Sequence, residues 1–259
     1  MHKNYHHELL REHFGILAKP NQPIVALAGN PNVGKSTVFN ALTGLRQHTG
    51  NWPGKTVNNA QGSFSVNNMD FLLIDLPGTY SLFAHTTEEE IARDFLCFGR
   101  PDVTVIVIDA TSLERNLNLT LQIMEVTSNI VICINLVDEA KKKKIIIDFP
   151  ALEAELGVPI VPAAARHGIG LSELKDKIYK LAVGEIKPTP YRVRYSNEVE
   201  QAVNRLLPHI KNLDTNGLFT PRWLALRLLD SDEKFLTKIF FYLEEYYSQR
   251  SVLEVELAL

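Results

Sequence analysis

The sequence predicts an α/β domain built on a mostly parallel six-stranded sheet flanked by helices, followed by a small all-helical domain. Five apolar, β-branched runs carry the first part: IVALAG (24–29), FLLIDL (71–76), VTVIVIDA (103–110), IVICIN (130–135) and PIVPAA (159–164). Their apolarity is continuous rather than alternating, so both faces of each strand are covered, as in a parallel sheet with helices on either side. From Tyr195 onward such runs cease. Only helical periodicity remains there, in SNEVEQAVNRLLPHI, PRWLALRLLD and EKFLTKIFFYLEEYYSQR.

Met1–Pro23 precedes the first strand and is assigned no function. It carries His2, His6, His7 and His13, but no carboxylate or cysteine joins them at a metal-ligand spacing, so it reads as a loose extension. Helices are expected over Lys35–Thr43, Glu88–Phe98, Leu117–Ser128, Pro150–Leu156 and Leu171–Ala182, with Gly44, Gly99 and Gly157 at C-terminal stops. The alternating GSFSV (62–66) sits close before FLLIDL and reads as an antiparallel edge hairpin. Lys141–Lys144 is expected to be a solvated helix end or loop. The prolines of GEIKPTPYRV (184–193) break helix, which gives an extension over 1–23, a sheet domain over 24–186 and a helical domain over 187–259.

With 259 residues, 45% of them hydrophobic, the chain can bury one substantial core. A net charge of −3 exerts no global pull on nucleic acid, which is therefore not an expected partner. Cys97 and Cys133 lie in separate apolar stretches, which suits buried thiols in a reducing cytosol better than a disulfide. No apolar run approaches the roughly 20 residues needed to span a bilayer.

The chemistry starts at Gly29-Asn30-Pro31-Asn32-Val33-Gly34-Lys35-Ser36, followed by Thr37. It fits G-x-x-x-x-G-K-[ST] between a strand and a helix, the context that a phosphate-binding loop requires. The glycines permit a tight loop of inward-facing N–H groups, and the helix start adds a positive dipole end. Lys35 is expected to reach the β- and γ-phosphates, and Ser36 to ligate Mg²⁺. A second strand closes in Asp75-Leu76-Pro77-Gly78, where a carboxylate can hold Mg²⁺ and a side-chain-free N–H can meet a γ-phosphate.

Asn135-Leu136-Val137-Asp138 ends the fourth run. An Asp accepts hydrogen bonds from N1–H and the exocyclic amine of guanine, a pattern adenine cannot supply, so GTP and GDP are expected rather than ATP. Leu136 stands where this motif ordinarily has Lys, which predicts weaker hold on the base. In Ala164-Ala165-Arg166 the Ala165 N–H is expected on the guanine O6, and the missing Ser hydroxyl predicts a looser loop with fast release.

RQHTGNWPGKTVNNAQG (46–62) is too long for an idle loop. Thr56 is the expected switch residue, meeting Mg²⁺ and γ-phosphate in the GTP state, with Gly54 and Lys55 beside it and Thr49 and Ser63 less central. Thr79 follows Gly78 where many small GTPases carry a water-orienting Gln. The water is then left to the Trp52–Thr56 backbone, a monovalent cation, or a side chain in Ser81–Glu90; failing these, the protein is a slow switch or a non-hydrolysing scaffold.

With these elements in hand, the chain resembles the cytosolic G-protein segment of FeoB-type bacterial ferrous iron transport proteins. The stretches that carry the resemblance are GNPNVGKSTVFNALTG, TGNWPGKTV, DLPGTYSL, DATSLERNLNLTLQ, NLVDEA and RWLALRLLDSD. The resemblance implies a Ras-like GTPase fold, a helical domain of dissociation-inhibitor character, and hydrolysis coupled to Fe²⁺ uptake through a membrane permease domain absent from this chain. It implies a place on the cytoplasmic face of the bacterial inner membrane for the whole protein, with this segment soluble by itself; self-association is compatible with it. It also implies that Asn32 holds K⁺ together with the phosphates and switch backbone carbonyls. Lys35, Thr56, Gly78 and Asn32 are then the expected catalytic set. Family members start almost at the first strand, so Met1–Pro23 departs from the pattern. A soluble ribosome-assembly or tRNA-modification GTPase is the alternative, and its RNA-binding appendage should be basic, which residues 195–259 are not.

Overall fold

The computed structural model describes residues 13–44, 47–83, 85–211, 219–230 and 232–256. His2, His6 and His7 lie outside them. The described chain falls into two compact units that divide between Arg192 and Val193.

The larger unit is a seven-stranded sheet in the order β2-β3-β4-β1-β5-β6-β7. Its strands are β1 (Ile24–Gly29), β2 (Gln47–Asn51), β3 (Asn58–Val66), β4 (Met69–Asp75), β5 (Val103–Asp109), β6 (Ile130–Asn135) and β7 (Ile160–Pro162). β1 pairs in parallel with β4 and β5, and β5-β6-β7 continue in parallel. β2-β3-β4 is an antiparallel edge. The sheet thus has one strand more than expected, because Gln47–Asn51, polar throughout and read as loop, pairs with Asn58–Gly62. A polar edge strand carries no apolar signature in sequence.

Between the strands run α1 (Lys35–Thr43), α2 (Thr87–Phe98), α3 (Leu113–Val126), the short α4 (Val137–Lys142), α5 (Phe149–Leu156) and α6 (Leu171–Ala182). Alternate strand residues Val25, Leu27, Val105, Val107, Val131 and Cys133 form one core with Val38, Phe39 and Leu42 of α1 and Leu174, Ile178 and Leu181 of α6. The opposite parity, including Ala26, Ile74, Ile106, Ile108, Ile132 and Ile134, is equally buried, as strands covered on both faces require. Helix α2 opens on a capping box: Thr86 Oγ1 accepts from the Glu89 N–H and the Glu89 carboxylate accepts from the Thr86 N–H. Asp148 caps α5 by accepting from the Ala151 N–H at 3.0 Å. Lys141 and Lys142 occupy the last turn of α4, and Lys141–Lys144 are exposed.

Residues 187–192 pack with the sheet unit. Thr189 N–H donates to the Gly157 carbonyl at 3.0 Å and Tyr191 N–H to the Leu156 carbonyl at 2.9 Å. Arg192 reaches the Met124 carbonyl and Ser128 Oγ. These bonds put the division beyond the expected 186/187 boundary. The second unit contains α7 (Asn197–Lys211), α8 (Pro221–Leu229) and α9 (Glu233–Glu256). Thr220 caps α8 through the Trp223 N–H, and Trp223 stacks on Phe219 at 4.9 Å between ring centroids. Among the described residues no helix is long and apolar enough to cross a membrane.

Candidate functional site

The candidate site lies at the C-terminal ends of β1, β4 and β6, beside the position where the strand order reverses, which is where open α/β sheets bind ligands. β1 runs directly into the loop Gly29–Ser36, and α1 starts at Lys35. Gly29 adopts φ +155°, and an added Cβ would lie 2.4 Å from the Val107 carbonyl oxygen. Gly34 adopts φ +80°, and a Cβ there would lie 2.4 Å from Asn135 Nδ2. Both positions therefore demand glycine for conformation and for space. Asn32 is also left-handed, at φ 66°, a conformation Asn tolerates better than most residues. Its side chain is exposed, and Ser36 and Thr37 are accessible beside it. Asn30 is buried, and neither atom of its amide has a hydrogen-bond partner in the protein.

The second segment meets the first. Lys35 Nζ is paired with Asp75 Oδ1, both side chains being largely buried. Burial raises the Asp75 carboxyl above its ordinary 3.8, and the Lys35 charge and hydrogen bond oppose that rise without cancelling it. Leu76 is buried beside it and Pro77 half-buried. Gly78 lies against Pro31, where a Cβ would approach the Pro31 backbone to 3.2 Å. Thr79 N–H donates to the Gly29 carbonyl at 3.3 Å, so the two loops are also hydrogen-bonded.

Asn135 joins the third segment to the first. Its Nδ2 donates to the Val33 carbonyl at 3.1 Å and its Oδ1 accepts from the Ala165 N–H at 3.1 Å. The Ala165 N–H, expected on a base oxygen, here donates to Asn135. That bond also pins Ala164-Ala165-Arg166, which forms a 3₁₀ turn over Ala165–His167 closed by an Ala164–Ile169 bridge, so the loop is less loose than its missing hydroxyl suggests. Leu136 takes the left-handed φ 63° at the start of α4. Asp138 stands half-buried on α4, with His167 Nε2 3.4 Å from its Oδ2. Nothing in sequence links His167 to Asp138, since the pairing depends on the turn after β7.

The switch segment is not an open loop. β2 and β3 form a hairpin whose tip is closed by Trp52 N–H to the Val57 carbonyl at 2.9 Å and Lys55 N–H to the Trp52 carbonyl at 3.0 Å. Gly54, Lys55 and Thr56 are exposed at that tip, and Lys55 pairs loosely with Glu90 of α2 at 3.7 Å. Thr79 is buried, and its Oγ1 donates to the Ser81 carbonyl at 2.7 Å while lying 3.3 Å from Glu89. Glu89 thus serves the α2 cap and the Thr79 loop together; the S/T-x-x-E spacing of Thr86 and Glu89 is the sequence signal that finds it.

A glycine cradle at a helix start, a Lys–Asp pair behind it and an Asn-tethered base loop define a GTP-binding P-loop domain of Ras-like fold. The family model for ferrous iron transport protein B matches residues 23–178, and that for the FeoB cytosolic helical domain matches 195–256. The chain belongs to the FeoB family. It is 42% identical over 224 residues to an Fe(2+) transport protein A/Fe(2+) transporter FeoB fusion protein of Porphyromonas gingivalis, covering 85% of this chain and 26% of that one. To the Fe(2+) transporter FeoB of Escherichia coli K12 it is 38% identical over 220 residues, covering 80% and 27%. It therefore spans about a quarter of the length of these curated relatives. Among solved structures, the cytosolic domain of the T. maritima FeoB iron transporter in a GDP form matches with TM-score 0.77 and 37% identity over 87% of each chain. The cytosolic domain of L. pneumophila FeoB matches with TM-score 0.76 and 33% identity over 87% of this chain and 88% of that one. The family matches give the RNA-directed alternative no support.

Proposed function

We propose that this chain binds and hydrolyses GTP with Mg²⁺ as the regulatory segment of a ferrous iron transporter. The observation that supports the reading is the convergence, through Lys35–Asp75 and Asn135–Val33, of the Gly29–Ser36, Asp75–Gly78 and Asn135–Asp138 segments.

The residues suit the ligand. The Gly29–Gly34 loop packs too closely against Val107 and Asn135 for side chains at either glycine, and the buried, unpartnered Asn30 amide beside it is a polar group suited to a polar guest. Asn30, Pro31, Val33, Gly34 and Thr37 surround the phosphates in this reading. Lys35 exchanges Asp75 for phosphate oxygens and so follows charge as it develops on the leaving side. The Gly78 N–H faces the γ-phosphate, Asp138 accepts from the guanine edge, and Leu136 and Arg166 flank the base. Ser36, Thr56 and Asp75 would hold Mg²⁺, which when bound neutralises charge on the β- and γ-oxygens. Asn32 would hold K⁺, which when bound supplies a fixed positive charge next to the phosphates, the role an arginine finger has elsewhere. The Thr79 hydroxyl serves Ser81 and Glu89, so the attacking water is left to the backbone of Trp52–Thr56, to a monovalent cation or to a side chain in Ser81–Glu90.

In the longer protein, movement of the Thr56 hairpin would signal to a membrane permease domain at the cytoplasmic face, with self-association open. Calorimetric titration with GDP and ADP tests the binding reading: GDP should bind in Mg²⁺, ADP should not, and Asp138→Asn should narrow the difference. Equal affinity for both bases would refute it.

A further inference from the structure

The segment just before β1 packs on the tip of the β2-β3 hairpin. Phe14 is 7% exposed, and its ring meets Trp52 edge-on at 6.5 Å and Phe95 of α2 at 5.4 Å. Trp52 and Phe95 meet each other at 5.5 Å, which closes a triangle of rings. Trp52, on the tip of an edge hairpin, is only 2% exposed as a result. The segment is fastened next to that triangle by one buried side chain: Gln61 of β3 donates from Nε2 to the Gly15 carbonyl at 2.7 Å and accepts through Oε1 from the Leu17 N–H at 3.0 Å. Gly15 has φ +65°, and a Cβ on it would approach Pro53 Cγ to 3.0 Å, so the chain passes directly over the hairpin tip.

We propose that Phe14–Leu17 is a lock on the nucleotide-sensing hairpin, with Phe14 and Gln61 as positioning residues. This rests on the GTP reading above. Thr56 shares with Trp52 a turn closed by the Lys55–Trp52 and Trp52–Val57 backbone bonds, so Thr56 cannot swing toward Ser36 and Asp75 without disturbing the indole's seat. Phe14 covers that seat and Phe95 ties it to α2, the helix whose cap holds the Thr79 loop. The seat is built to be left as well as filled, because the Trp52 Nε1–H is buried with no acceptor, a cost recovered when the indole moves out. The lock therefore favours the arrangement with Thr56 withdrawn and disfavours the GTP-engaged one, and loosening it shifts the balance toward GTP.

The test uses the whole chain with Trp223→Phe, which leaves Trp52 as the remaining indole. Phe14→Leu keeps an apolar side chain at the seat; Gln61→Met keeps length and removes both hydrogen bonds at a separate point, so one variant stands if the other fails to fold. In each, Trp52 emission should shift to the red and be quenched more steeply by acrylamide. The affinity for a non-hydrolysable GTP analogue relative to GDP should rise about fivefold, the lower end of ordinary coupling between sites. Unchanged emission, or a red shift with an unchanged affinity ratio, would overturn the lock. Failure of the parent chain to bind either nucleotide would instead fell the reading on which the proposal rests, an outcome distinct from intact binding with an unmoved ratio.

Discussion

Asn135 holds the Val33 carbonyl from 102 residues further along the chain, and the same side chain holds the Ala165 N–H. One buried amide thereby sets the distance between the phosphate loop and the turn after β7. Asn135→Ala removes both bonds and leaves two buried backbone groups unpaired. Unfolding free energy should fall by about 1–3 kcal/mol, and GDP and GTP should weaken together. Denaturant titration with parallel calorimetry checks this; loss confined to one nucleotide would contradict it.

Asp75 makes the sheet unit sensitive to pH in a definite direction. Its carboxyl titrates above 3.8 because burial outweighs the Lys35 charge. The folded state therefore binds this proton more tightly than the unfolded chain. The associated stability is fully present below the unfolded value and is lost as pH rises through the folded one. Lys35→Met removes the opposing charge and raises the carboxyl further. Stability of that variant should decline more steeply than the parent's above about pH 4, as read from urea midpoints across a pH series. Parallel curves would contradict the pairing.

In the helical unit the sign is reversed. Arg222 donates to both Glu200 oxygens, at 2.8 and 2.9 Å, and with the Tyr195 N–H it holds that carboxyl down to about 2 from 4.5. The resulting stability is present above the unfolded value and lost as pH falls from 4.5 toward 2. Glu200→Gln should flatten the acid limb of helix loss followed by far-ultraviolet circular dichroism. An acid limb identical to the parent's would contradict the assignment.

Gly157 ends α5 at φ +65° with the Thr189 carbonyl oxygen 2.0 Å from where a Cβ would stand. Gly157→Ala therefore strains the turn and pushes residues 187–192 off the sheet unit. A loss of about 1–3 kcal/mol is expected, read from denaturant midpoints, with faster proteolysis in 184–193 as the accompanying sign.

The parts of this molecule that sequence discloses are those where one residue's neighbours in the chain are also its partners in space. β1, β6, α1 and α6 have the bounds their patterns predict, because apolar runs and glycine stops are local. The Gly29–Ser36 loop and Asp75–Gly78 were legible for the same reason. What escaped was non-local. β2 is polar and exists through its partner β3, the Ala165 N–H is taken by an Asn 30 residues away, and Phe14 acquires its role from Trp52 and Phe95. Gly15 and Leu17, ahead of β1, are placed by Gln61, and no periodicity announces those bonds.

The most direct measurement is steady-state phosphate release from Mg·GTP by the whole chain in KCl against NaCl. Multiple turnovers are expected in both, faster in K⁺ by about tenfold, some 1.4 kcal/mol of barrier, with the K⁺ advantage lost in Asn32→Ala. No release, or equal rates in the two salts, would contradict K⁺-assisted hydrolysis.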